Sequence, residues 1–170
     1  MEMMCVSCHG GTLANYTNKF NQLDVQWLEP QDMQVAMRKL AEQWYPSQKS
    51  ISGKLADVMV DIWSARQGLI PHPDIALCET ESVLGLLCGC EGRDRQCFWI
   101  QEVLIHPEFA KCEEDIVVEK LIQAAIDRSV LLGYHGWVAC QPLQEDEAMW
   151  IRFKFHRSEL GFRRMGYFAR

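Results

Sequence analysis

Apolar and polar positions follow two different periods along the chain, and the change of period separates helices from strands. Three- and four-residue steps run from Met33 to Trp44 and again from Leu55 to Trp63, which predicts two amphipathic helices. A short strand at residues 24–28 precedes them. A longer helical pattern covers residues 113–132, and Gly133 is its predicted stop. The chain is therefore expected to begin with one strand and two helices and to carry a long third helix in its second half.

Five further segments have the apolar or alternating character of strands. They are residues 75–80, 82–91, 96–105, 136–141 and a C-terminal strand within 159–168. The polar segment QEDEAMWIRFKFHRSE before the last strand predicts a fourth helix. Strand 96–105 is apolar on both faces, which favours the middle of a covered sheet. The order β α α β β β α β α β predicts an α/β (α+β) fold with a single mixed, mostly antiparallel central sheet flanked by helices.

The polar turn between strands 82–91 and 96–105 predicts an antiparallel hairpin. If Arg93 and Asp94 form its tip, Cys90 faces Cys97 across the two strands. Whether these two thiols ever form a disulfide depends on geometry that the sequence leaves open.

Composition narrows the class of protein. The 170 residues suit one domain, with residues 1–23 as a flexible N-terminal lead and residues 24–170 as the folded domain. A net charge of −6, with acids and bases mixed along the chain, argues against a nucleic-acid or membrane partner. Without a signal segment or an apolar stretch of roughly 20 residues, the chain is expected to be cytoplasmic. Its eight cysteines are then expected to be reduced thiols.

The N-terminal sequence CVSCH has the spacing of a c-type haem attachment site, with Cys5 and Cys8 as the thioether positions and His9 as the iron ligand. No export signal precedes it, although such attachment usually takes place outside the cytoplasm. A zinc site would need a fourth ligand, which nothing nearby supplies. We therefore interpret this segment as a thiol-rich terminus and predict neither haem nor metal.

The element order and three local motifs resemble the GNAT superfamily of acyl-CoA-dependent N-acetyltransferases. The motifs are VLIHPEF at residues 103–109, LIQAAIDRSVLLGYHGWVACQ at 121–141 and ELGFRRMGYF at 159–168. The resemblance extends from Asp24 to the C-terminus and makes residues 24–170 a GNAT-like domain. It implies an acetyltransferase that moves an acetyl or related acyl group from CoA to an amine of a small molecule or peptide, and it is compatible with a homodimer.

The resemblance also implies where acetyl-CoA, the co-substrate, binds. In the family the fourth strand and the strand after the long helix separate, and the pantetheine arm pairs with the backbone of the fourth strand like an added strand. The pyrophosphate lies where a glycine-bearing loop meets the start of the long helix. The corresponding cofactor-binding positions here are Val103, Leu104 and Ile105 on the strand, and Ile116, Val117 and Val118 at the loop.

This pyrophosphate loop departs from the family pattern. No glycine follows Pro107 before the helix, and Glu113, Glu114 and Asp115 stand where the diphosphate is expected. Like charges repel at short range, and Lys111 is the only compensating cation in this stretch. The three acids also suit the positive end of a helix without any ligand. We therefore expect a degenerate loop and a CoA affinity that is weakened, altered or lost.

Direct acetyl transfer needs a base to deprotonate the amine, and Glu102 is the first candidate. Regular alternation puts Glu102 on the same face as Ile100 and Leu104, opposite Val103 and Ile105; a β-bulge would re-aim it. Its alternative role is that of an ordinary polar residue at a sheet end. Glu79 and Glu81 are the other carboxylates considered, either as the base or for recognition of a cationic substrate.

The catalytic acid is not evident from the sequence. The position at which the family often has a tyrosine is Arg157, which stays protonated near neutral pH; the adjacent His156 can titrate. Cys140 would need a lowered pKa to act as a nucleophile, and no neighbour in sequence supplies the cause.

Two functional hypotheses stay open at this point. One is a divergent acetyltransferase, and the other is a non-catalytic GNAT-fold binding or regulatory module. An exposed apolar surface on the two early helices would favour the second.

Overall fold

The computed structural model describes residues 23–44, 49–92, 96–106, 108, 111–141, 146–158 and 161–165. The helices are α1 (Met33–Trp44), α2 (Lys49–Arg66), α3 (Lys111–Leu131) and α4 (Glu147–Arg152). The strands are β1 (Asp24–Trp27), β2 (Asp74–Glu79), β3 (Val83–Glu91), β4 (Phe98–Ile105), β5 (Trp137–Cys140), β6 (His156–Ser158) and β7 (Gly161–Met165). The predicted order of elements is confirmed, except that the end of the chain forms two short strands where the sequence predicted one.

The strands form one seven-stranded sheet in the order β1-β2-β3-β4-β5-β7-β6. Neighbouring strands are antiparallel except for β4 and β5, which are parallel. A parallel pair requires a long crossover connection, and α3 supplies it. The mixed α/β fold with a mostly antiparallel sheet is confirmed, and β4 occupies the central position expected of a strand that is apolar on both faces.

Helices cover both faces of the sheet. Helix α3 packs on one face through buried residues such as Val117 and Leu121, in a core that includes Phe98 and Ile100 of β4. Helices α1 and α2 pack on the opposite face, in a second core that contains Leu104. We call these the α3 face and the α1–α2 face. Each side chain of β4 can therefore be assigned to one helix layer or the other.

The inward stripe of α2 is narrower than the sequence pattern predicted. Leu55, Val58 and Ile62 are buried, whereas Met59 and Trp63 are 38% and 60% exposed. Met59 and Trp63 each follow a buried residue by one position, which rotates them about 100° away from the sheet. The packing stripe therefore uses one residue per turn.

The hairpin between β3 and β4 has a different register from the predicted one. Cys90 lies opposite Trp99, and the last pair is Glu91 with Phe98. The prediction that Cys90 faces Cys97 is wrong because the register is shifted by two residues: Cys97 lies opposite Gly92, whose N–H donates to the Cys97 carbonyl oxygen at 2.9 Å. Both cysteines are thiols and not disulfides.

No helix within the described ranges combines the length and the apolar character that crossing a membrane requires.

Candidate functional site

The pairing between β4 and β5 is short, and a gap opens where it stops. Phe98, Trp99 and Ile100 pair with Val138, Ala139 and Cys140. Strand β4 then continues to Ile105 with β3 along its other edge. Among the residues that the structure describes, no strand pairs with the β5-side edge of β4 beyond Ile100. We call the space beside this edge, along residues 101–105 of β4, the β4–β5 gap.

The backbone of Val103 and Ile105 is directed into this gap. The N–H of His106 donates to the carbonyl of Leu84 at 2.9 Å, which marks that position as paired with β3. In an antiparallel pair such positions alternate with positions whose N–H and C=O point the other way. Leu104 therefore bonds to β3, while Val103 and Ile105 present their N–H and C=O to the gap. Two of the three strand positions predicted for cofactor binding thus offer backbone groups there.

A β-bulge lies at the start of the gap. Cys88 of β3 is opposite Glu102 whereas the next residue, Gly89, is opposite Ile100, so Gln101 is the extra residue in β4. The bulge reverses the alternation of side chains beyond it. Ile100 lies on the α3 face, and Leu104 lies on the α1–α2 face. The regular alternation that placed Ile100, Glu102 and Leu104 on one face is therefore wrong at Ile100.

Glu102 lies on the α1–α2 face together with Leu104, as regular alternation between these two residues requires. Its cross-strand neighbour Cys88 belongs to the core on that face, and directly opposite residues of paired strands share a face. Burial raises the pKa of the Glu102 carboxyl; the cation of Lys54 opposes this shift, and Asp146 and Asp57 reinforce it. The carboxylate is half-buried and surrounded by charges from α2 and from the residue that precedes α4.

A salt bridge joins those two elements beside Glu102. Lys54 Nζ lies 3.5 Å from Asp146 Oδ2, and the two side chains are 37% and 35% exposed. Ninety-two positions separate the residues in the chain. The sequence marks neither residue as functional, because no local pattern relates a lysine on the second helix to an aspartate before the fourth.

The predicted pyrophosphate positions lie within α3. Val117 and Val118 are fully buried beneath the sheet, and Ile116 is 39% exposed. Helix α3 begins at Lys111, so the N–H groups without partners inside the helix belong to its first turn, ahead of these three residues. The assignment of residues 116–118 to cofactor binding stays a prediction.

The acidic start of α3 is partly neutralised by α4. Arg152 Nη2 donates to Asp115 Oδ1 at 2.6 Å, and its guanidinium lies 5.3 Å from the centre of the Phe153 ring. Both ion-pair side chains are about two-fifths exposed, at 41% and 39%. A cation that the sequence pattern did not reveal therefore stands beside the acids that were expected to repel a diphosphate.

The other candidate residues lie away from the gap. Glu79, at the end of β2, is separated from β4 by β3, and Glu81 lies in the exposed connection that follows β2. Arg157 is 71% exposed and forms an ion pair with Glu147. His156 is exposed on β6. The structure thus brings Glu102 to the gap and leaves Glu79 and Glu81 elsewhere.

Cys140 lies at the closed end of the gap, opposite Ile100, but its environment suppresses the thiolate. Burial raises the pKa of its thiol to about 12. At pH 8 only roughly one molecule in ten thousand then carries the nucleophilic form. We expect native Cys140 to resist iodoacetamide at pH 8 while the half-buried Cys90 reacts, as measured by peptide mass spectrometry. Rapid alkylation of Cys140 in the folded protein would contradict this expectation and restore it as a nucleophile.

No group of three or more metal-ligating side chains is found in the described parts of the chain. The Cys5, Cys8 and His9 motif lies outside the described residues.

No protein-family model matches the sequence, and no curated protein matches it either. Solved structures do match. An acetyltransferase of the GNAT family from Listeria monocytogenes is 15% identical, with a TM-score of 0.53 over 83% of this chain and 91% of that one. The GNAT family N-acetyltransferase YhbS from Escherichia coli, solved in complex with CoA, is 15% identical, with a TM-score of 0.54 over 80% of this chain and 69% of that one. The protein has the GNAT fold.

A third GNAT-fold neighbour is the aminoglycoside antibiotic 6'-N-acetyltransferase AAC(6')-Ih from Acinetobacter baumannii, which is 14% identical with a TM-score of 0.50. The match covers 87% of this chain and 97% of that one. The resemblance predicted from three motifs is therefore confirmed at the level of the fold. Because these identities are low, the match reaches the arrangement of the sheet and helices and no individual residue.

Proposed function

We propose that the protein is a divergent GNAT-type N-acetyltransferase that moves an acetyl or related acyl group from CoA directly to an amine. The observation that carries the proposal is the β4–β5 gap, where the backbone of Val103 and Ile105 faces the gap and the residue before Val103, Glu102, has a half-buried carboxylate. Acyl transfer to an amine needs these two components, an edge that positions the donor and a nearby base.

The donor binds along β4. The pantetheine arm of acetyl-CoA contains amide groups that pair with the N–H and C=O of Val103 and Ile105, as an added strand does. The phosphates then lie toward the start of α3, where N–H groups of the first turn attract anions. Arg152 lies 2.6 Å from Asp115 in this region. We propose that it replaces the basic residue that the loop lacks.

The acceptor approaches from the α1–α2 face, where Glu102 points. Glu102 takes a proton from the ammonium form of the acceptor, and the neutral amine attacks the thioester carbonyl. CoA leaves as a thiolate. Because a thiol pKa near 8.5 makes the thiolate a reasonable leaving group at neutral pH, we assign no residue as its acid.

The charges around Glu102 favour a cationic acceptor. Glu102, Asp57 and Asp146 place carboxylates on the acceptor side, with Lys54 as their counter-ion. An aminoglycoside, the acceptor named for the Acinetobacter neighbour, is a polycation of this kind. We propose an acceptor that carries at least one amine in addition to the one acetylated.

Calorimetric titration and a thermal melt with acetyl-CoA test the proposal. At about 100 times its dissociation constant, the ligand adds roughly 2.7 kcal/mol to the free energy of unfolding. Val103→Pro removes the N–H that faces the gap without removing a bond to β3, and we expect it to weaken acetyl-CoA binding roughly tenfold. Glu81→Gln, in the exposed connection after β2, is the matched control and keeps the wild-type affinity. Absence of any heat of binding by the wild-type protein would overturn the proposal.

One observation favours the second candidate, a GNAT-fold module without catalysis. Val60 and Trp63 on α2 are 58% and 60% exposed, and Val35 on α1 is 73% exposed. An apolar surface of this kind suits a protein partner. The titration separates the two candidates, because a module that has lost CoA-dependent chemistry shows no saturable acetyl-CoA binding.

A further inference from the structure

Lys54 lies on the face of the sheet from which we propose that the acceptor amine approaches. Its helix, α2, is anchored on the α1–α2 face by Leu55 and Val58, which are 1% and 2% exposed. Glu102 points to that same face beyond the bulge. Lys54 Nζ lies 3.5 Å from Oδ2 of Asp146, the residue that directly precedes α4. The Lys54 side chain is 37% exposed, so it is partly buried and still accessible to solvent.

The charge of Lys54 lowers the pKa of the Glu102 carboxyl and so opposes the effect of burial. The lysines Lys39 on α1 and Lys120 on α3 are exposed. An amine that is tethered beside the base has a high effective concentration there, so it needs no binding step of its own.

Resting on the proposed function, we infer that Lys54 is itself an acetylation site: with acetyl-CoA bound and no other amine present, the protein transfers the acetyl group to the ε-amine of Lys54.

The chemistry balances without any further reagent. Glu102 takes one proton from the Lys54 ammonium and later releases it to solvent. The neutral Nζ forms a bond to the thioester carbonyl carbon, and the carbon–sulfur bond breaks. The nitrogen loses a second proton, and the departing CoA thiolate takes up one proton to become the free thiol. The net products are acetyl-lysine, CoA and one proton. The neutral amide no longer pairs with Asp146, so the modification also frees that carboxylate for a cationic acceptor.

Mass spectrometry of the full-length protein incubated with trideuteroacetyl-CoA alone tests this inference. The deuterium label distinguishes new acetyl groups from any that were present at purification. We expect one labelled acetyl group per chain, located by peptide mapping at Lys54, and a rate per chain that does not change on tenfold dilution of the protein. Lys54→Arg should remove this label, and Lys39→Arg, the matched change at an exposed lysine, should leave it. Glu102→Gln should slow labelling at Lys54 by roughly 10²-fold.

The outcomes separate this inference from the proposed function. Saturable acetyl-CoA binding with no label at Lys54 overturns the inference alone, and so does label spread at similar rates over Lys39, Lys54 and Lys120, which is the signature of chemical acetylation. A rate that falls on dilution shows transfer between molecules and also overturns it. No binding of acetyl-CoA overturns the proposed function and the inference together.

Discussion

Glu102→Gln is expected to slow acetyl transfer by roughly 10²-fold or more at neutral pH while acetyl-CoA still binds. The amide keeps the size of the carboxylate but cannot accept a proton from the acceptor. The donor contacts of Val103 and Ile105 come from the backbone, so they do not depend on this side chain. Steady-state rates with a polyamine acceptor and calorimetric titration of acetyl-CoA measure the two effects on the same protein sample.

The pH profile gives a second readout for Glu102. Burial raises its pKa, so the ionised form that acts as a base is lost at a higher pH than for an ordinary glutamate. The wild-type rate should fall as pH drops through this raised pKa, and the residual rate of Glu102→Gln should not show that step. Glu79→Gln, at the end of β2, is the matched control and should keep both the rate and the profile.

Stability should move opposite to activity in the same variant. A raised pKa in the folded state means that the unfolded chain loses this proton first as pH rises. Ionised Glu102 therefore destabilises the fold at neutral pH, and this penalty disappears in acid. Glu102→Gln should melt at pH 7 at the wild-type temperature or above it. A variant that melts much lower, or one that retains the full rate of transfer, would contradict the assigned role.

Phe98→Ala is expected to have the largest effect on folding. Phe98 is fully buried, and its ring meets that of Trp27 edge to face at a centroid distance of 5.8 Å. Removing a buried phenylalanine side chain costs about 3–5 kcal/mol in the free energy of unfolding. For a chain of this length we expect a fall in melting temperature of roughly 10 °C. Trp63→Ala, a large-to-small change at an exposed aromatic on α2, is the control and should change the unfolding free energy by less than about 0.5 kcal/mol.

A double-mutant cycle with Gly89 shows whether the cause is the ring itself. A Cβ added at Gly89 would lie 2.5 Å from Phe98 Cε1 and 2.8 Å from the Trp99 carbonyl oxygen. Gly89→Ala should therefore cost about 1–3 kcal/mol in the wild type and clearly less in Phe98→Ala, where the ring is gone. Equal costs in the two backgrounds would mean that the Trp99 backbone contact dominates.

The sequence predicted the layers of this fold well because periodicity is a local property. Met33 to Trp44 repeats with a helical period, and the structure has a helix with these bounds. The strand that reads as apolar on both faces lies at the centre of the sheet. These predictions need no knowledge of which residues meet across the chain, since burial on one face or on two leaves its own pattern.

The details of the site could not be predicted as well, because they depend on contacts between residues that are distant in the sequence. The bulge at Gln101 depends on how β3 pairs with β4, and no alternation reveals it because β4 is apolar on both faces before Gln101 and after Glu102. The charges around Glu102 come from Lys54, Asp57 and Asp146, which approach one another only after folding. Likewise, Arg152 of α4 meets Asp115 of α3 only after folding. Glu102 itself could be named from its place on the strand, but its surroundings could not.

The short pairing between β4 and β5 divides the sheet into two unequal plates that meet along a narrow seam. Strands β1 to β4 form one plate and β5 to β7 the other, and three residue pairs join them. Few backbone hydrogen bonds between β4 and β5 must lengthen when one plate tilts against the other, so the sheet deforms most easily along this seam. Helix α3 packs on strands of both plates and so connects them across the seam. The angle of the opening can then adjust to the thickness of what enters it while neither plate is remodelled.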